Sequence, residues 1–158
     1  MYYFQVVVTE YLVSDRDTFL NTEFLIQLDA DDSKKGRHWY CDAAASSFRD
    51  STLYLCEVTY SKTISALAKR LLAWDIYWVE LQEALRRDCA IPDSWIIQPW
   101  AFIPEKYHDA LKIRIEKLVS EGRPTGAMPY PRITYLEHVV PWDYITWDRK
   151  VTDLEDET

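Results

Sequence analysis

The chain has 158 residues, 48% of them apolar and only three of them glycine, and a formal net charge of −8. That length suits one domain able to bury about two-thirds of its unfolded surface, and the composition excludes a disordered or low-complexity chain. The acidic balance weighs against a simple nucleic-acid coat protein, whose phosphate contacts need Lys and Arg.

The first segment, Tyr2 to Phe19, is ambiguous: Val6-Val7-Val8 favours a strand on propensity, while Tyr3, Val7, Glu10 and Tyr11 also fall on helical faces. Phe24 to Leu28 is a short strand running into an Asp-rich turn that ends at Gly36. His38 to Ser46 returns as a second strand, Phe48 to Ser51 turns again, and Thr52 to Tyr60 is a third. Three strands joined by short turns make an antiparallel meander. From Ser61 to Asp88, Ile64, Leu67, Leu71, Trp74, Trp78, Leu81 and Leu85 form one apolar stripe, predicting a single long helix capped by Ser61. Trp95 to Ile103 reads as a strand that Pro99 places at an edge or a bulge. Glu105 to Ser120 is a second amphipathic helix, and Ile133 to Val140 a last strand. The expected fold class is α/β (α+β): a mixed β-sheet containing the meander, flanked by helices. One domain over residues 1–147 is followed by an acidic C-terminal tail, residues 148–158.

Cys41, Cys56 and Cys89 have no CxxC or Cys/His metal spacing, and Cys41 and Cys56 read as small buried hydrophobes. A reducing, cytoplasmic location is the expectation. The opening MYYFQVVVTEYL lacks a basic start and carries Glu10 within its apolar run, unlike a secretory signal. No run reaches the ~20 apolar residues of a membrane span. His38, His108 and His138 are scattered, without ligand spacing.

The chemistry lies in the second and third strands. Strand alternation puts Glu57 on a face with Leu55 and Thr59, and Asp42 on a face with Tyr40 and Ala44. If the strands pair through the Phe48–Ser51 turn, the two carboxylates lie side by side. They repel unless a proton or a cation intervenes. Mg²⁺ or Mn²⁺ would satisfy both and activate a water for attack on a phosphate.

This order of elements, with an Asp on one core strand and Glu57-Val58-Thr59 on the next, resembles the PD-(D/E)XK, or restriction-endonuclease-like, nuclease superfamily. The resemblance covers roughly residues 1–105. It implies a restriction-endonuclease-like core, a helix at Tyr2–Phe19, a metal site of Asp42 and Glu57, and Glu10 on the first helix as a third acidic ligand. The family's motif lysine is replaced by Thr59, whose hydroxyl carries no positive charge. Lys62 and Lys69, at the start and on the same face of the following helix, are the candidate substitutes.

The implied activity is metal-dependent hydrolysis of phosphodiesters in DNA, with Asp42, Glu57, Lys62 and Lys69 catalytic, and Lys34, Lys35 and Arg37 a basic patch for nucleic acid. The alternative, motivated by Thr59 and the surplus of Trp and Tyr, is a catalytically degenerate nuclease fold. Such a fold would dimerise, or dock on a larger nucleic-acid-processing partner, through an aromatic surface.

Overall fold

Burial, rather than propensity, decides the first segment. Tyr3–Val13 forms a helix, α1, in the computed structural model, which describes residues 3–30, 36–60, 64–121 and 128–140. Phe4, Val8 and Leu12 recur every four residues, and Val8 and Leu12 are buried. Tertiary packing of that stripe overrides the β-branched run, as it commonly does for weak local preferences.

The meander follows as β1 (Thr18–Gln27), β2 (His38–Ser47) and β3 (Thr52–Val58), paired antiparallel. β1 begins well before the expected Phe24. The predicted single long helix is two, α2 (Ile64–Ile76) and α3 (Trp78–Cys89). Residues 61–63, and with them the Ser61 cap, lie outside the described residues. At the junction Tyr77 leaves helical geometry (φ −102°, ψ 20°), although the i to i−4 hydrogen bonds run through it. Its ring packs against Trp39 and under the Arg37 guanidinium, so contacts to β2 draw it out of line.

β4 (Ile96–Ile103) pairs parallel to β3, and the short β5 (Arg132–Tyr135) pairs parallel to β4. Between them lie a 3-10 turn, Glu105–Tyr107, and α4 (His108–Ser120). The chain expected as strand beyond Tyr135 instead makes a second 3-10 turn, Leu136–His138. The five-stranded sheet is ordered β1-β2-β3-β4-β5, so β4 is an interior strand. Pro99 is nevertheless tolerated. The Ile96 N–H bonds back toward β3, so by alternation residue 99 faces the other side, and there β5 pairs only from Trp100 onward.

Two cores cover the sheet. α2, α3 and Leu111 of α4 pack on one face over Ile26, Cys41, Leu53, Leu55 and Ile103. α1 packs on the other over Ala43, Ala45, Tyr54, Cys56 and Phe102. β1 and β2 change faces partway along: Leu20 and Ala45 belong to the α1 core, whereas Phe24 and Cys41 belong to the α2–α3 core. Strict alternation would keep Leu20 with Phe24 and Cys41 with Ala45. The switch falls between the pairs Thr22↔Ala43 and Phe24↔Cys41, at Glu23, whose φ is +50°, and at Asp42 opposite it. Asp42 therefore does not simply share a face with Tyr40 and Ala44, as alternation predicted; it stands at the crossover. Among the described residues no helix is long and apolar enough to cross a membrane.

Candidate functional site

The β2–β3 ladder ends at Ala43↔Cys56, and the next residues in register are Asp42 and Glu57. Beyond that point β2 pairs only with β1, and β3 only with β4, so the two strands part. Side chains take over where backbone bonds stop. The Val58 N–H donates to Asp42 Oδ2 at 2.7 Å, and Cys41 Sγ donates to the Cys56 carbonyl at 3.2 Å. From α2, Arg70 Nη1 donates across the gap to the Tyr40 carbonyl (2.7 Å) and to Glu57 Oε1 (2.8 Å). From α1, Gln5 Nε2 donates to Asp42 Oδ1 at 3.1 Å.

Each carboxyl is thus addressed by a different layer, Asp42 by α1 and Glu57 by α2, and the two meet in the opening between strands. Glu57 is 8% exposed. Burial, the neighbouring Asp42 charge and a hydrogen bond between the two carboxyls push its pKa up from 4.5 to about 9, against the opposing pull of Arg70 and the Asp42 N–H. Two carboxyls sharing a site disfavour ionisation of both, the direction in which Glu57 is shifted.

A divalent cation is the other species that resolves such a contact. The donors are all hard oxygens, the kind Mg²⁺ and Mn²⁺ prefer. A cavity of about 10 Å³ lies against Asp42, between Gln5, Thr9, Thr22 and Val58, and accommodates about one water-sized occupant. A second, of about 120 Å³, is lined by Glu57, Thr59, Ala66, Leu67 and Arg70. Among the described residues no cluster of three or more His, Cys, Asp or Glu side chains forms.

The remaining expected residues are placed as follows. Glu10 is exposed on α1, and Gln5 is the α1 side chain that reaches Asp42. Lys69 is exposed on α2, and its neighbour Arg70 is the cation at Glu57. Thr59 lines the cavity beside Glu57, and its N–H bonds to the Phe102 carbonyl. Lys62, Lys34 and Lys35 lie outside the described residues. Arg37 is held by two carboxylates, Asp29 at 2.9 Å and Glu80 at 2.8 Å, so a phosphate there would have to compete with both.

Helical geometry explains which side chains arrive. At about 100° per residue, Lys69 and Glu10 stand opposite the buried stripes of their helices, whereas Arg70 and Gln5 lie on the flanks of those stripes, next to the sheet. That signal was present in the sequence, in the position of each residue relative to Leu67–Leu71 and to Val8–Leu12.

No protein-family model matches the chain, and no curated protein matches it. Among solved structures it is similar to an XisH family protein from Nostoc punctiforme, at 17% identity over 87% of this chain and 94% of that one, with a TM-score of 0.49.

Proposed function

We propose that the protein is a metal-dependent phosphodiesterase acting on DNA, with Asp42 and Glu57 as the protein ligands of Mg²⁺ or Mn²⁺. The observation that supports it is the placement of Asp42 and Glu57 next to each other in register where β2 and β3 part. Asp42 offers an oxygen already oriented by Gln5 and the Val58 N–H. Glu57 would bind such an ion as the carboxylate. A cation bound there supplies an acidified water and neutralises charge on a phosphodiester. Arg70 supplies the fixed positive charge that Thr59 lacks, aimed from α2 at the same carboxyl. Gln5 acts behind Asp42, and groups so placed affect metal affinity by 10- to 100-fold, roughly.

The test is cleavage of plasmid and oligonucleotide DNA with and without Mg²⁺ or Mn²⁺, alongside calorimetric Mn²⁺ titration. Cleavage is expected only with metal and is abolished in Asp42→Ala and Glu57→Ala, which also lose Mn²⁺ affinity. No metal-dependent cleavage of any DNA form, together with Mn²⁺ affinity indifferent to Asp42→Ala, sinks the proposal.

The 2.8 Å contact of Arg70 with Glu57 Oε1 favours a second reading, since that oxygen already has a partner without metal. On that reading the fold is a catalytically silent binding or assembly module. Its interaction surface would be aromatic, such as the exposed Phe19 and Phe48 packed edge to face beside Trp95.

A further inference from the structure

At the carboxyl ends of β3 and β4 an open groove of about 470 Å³ runs between Phe4, Tyr60, Pro104, Lys106, Leu136 and Glu137. Phe4 precedes Gln5 on α1, and Tyr60 follows Glu57 by three residues. α1 and the chain just past the end of β3 thus bring rings to the groove next in sequence to residues that bring side chains to the pair. Those rings are stacked, with centroids 5.1 Å apart and planes 24° from parallel, and Tyr3 adds an edge contact to Phe4. Tyr60 is 46% exposed and Tyr3 74% exposed, so the stack opens to solvent.

The open rings lie at the carboxyl ends of the parallel strands β3 and β4. Lys106 stands exposed at the rim, its Nζ 5.1 Å from the Tyr107 ring. Glu137, the groove's acid, is tied to the Glu105 N–H at 3.1 Å. One cation and one fixed anion make the groove nearly neutral, and the chain as a whole carries −8. A ligand captured here is held mainly by its flat faces and only secondarily by its phosphates.

We propose that this groove binds an unpaired base of a nucleic-acid strand against the Phe4–Tyr60 stack, with Lys106 on the adjoining phosphate, so that the substrate is single-stranded where it meets the carboxylate pair. The inference deepens, and rests on, the phosphodiesterase reading. Every nucleobase has a face that stacks on an aromatic ring, so the platform is indifferent to sequence. A base inside a blunt duplex is already stacked on both sides and cannot be presented in this way. The substrates selected are single strands, frayed ends, flaps and gaps.

The test separates binding from cleavage. Fluorescence anisotropy in EDTA, with a fluorescein-labelled oligothymidylate and a blunt duplex of the same length, reads the platform without the metal. The single strand is expected to bind more tightly, and Tyr60→Ala to weaken it about tenfold while leaving duplex binding unchanged. Tyr60→Phe keeps the ring and the affinity. Lys106→Ala lowers the salt slope for the single strand by about 0.7. Equal affinity for both DNA forms, or a Tyr60→Ala protein that is folded by circular dichroism and binds like wild type, overturns the inference. Cleavage assays on the same proteins are independent. Single-strand binding through Tyr60 without metal-dependent cleavage removes the nuclease reading and leaves the platform. Duplex cleavage at single-strand rates, unchanged in Tyr60→Ala, removes the platform and leaves the nuclease.

Discussion

Glu57 carries the most perturbed carboxyl of the site, and its consequence can be measured without any substrate. Its pKa rises from 4.5 in the unfolded chain to about 9 in the fold. Between those values the folded chain holds a proton that the unfolded chain has lost. Stability therefore falls as pH rises from about 4.5 to about 9, by at most about 1.4 kcal/mol per pH unit. Below the window both states are protonated, and above it both are ionised. Urea denaturation at pH 5.5, 7 and 8.5 is expected to show this decline, and Glu57→Gln, which imitates the protonated acid, to flatten it. The meeting of Asp42 and Glu57 was legible from strand order and the connecting turn. Their helical partners, Gln5 and Arg70, are legible only from helical position, since each lies on the flank of a buried stripe next to the sheet. Lys69 and Glu10 have the chemistry expected by analogy, yet they point outward from helices whose stripes were already readable.

At the scale of elements, the sequence announces the meander and the stripe of α2 and α3 but not the places where an element bends. Glu23 takes a left-handed conformation inside a strand with no glycine to mark it. A non-glycine residue there is strained by its Cβ. Glu23→Gly is expected to stabilise the fold by about 1 kcal/mol, and Glu23→Val to destabilise it, with thermal midpoints shifting by about 2–4 °C in opposite directions. The Tyr77 kink is equally silent locally, because the ring's partners, Arg37 and Trp39, come from the start of β2 and the residue before it. The strand-or-helix ambiguity of Tyr3–Val13 could not be settled by local preference, since the surface that buries Val8 and Leu12 is assembled from distant strands.

For the whole molecule, the sheet separates two cores with different relations to the site. Leu81, wholly buried between α3 and the sheet, belongs to the α2–α3 side. Val8 belongs to the α1 side and is carried on the helix that presents Gln5 and Phe4. Leu81→Ala is expected to cost about 2–5 kcal/mol of stability and to leave Mn²⁺ affinity unchanged at temperatures where the variant is folded. Val8→Ala is expected to cost about 2 kcal/mol and to weaken Mn²⁺ binding as well, because it loosens the seat of α1. Chemical denaturation and calorimetric titration on the same two variants separate these outcomes. The common change of face at Glu23 and Asp42 gives the β1–β2 hairpin a fulcrum. Its half near the β2–β3 turn follows α1, its far half follows α2 and α3, and Asp42 rides on the pivot between them. Asp42 is therefore seated by α1 and Glu57 by α2, so a substitution on either face of the sheet reaches the acid pair through a different helix.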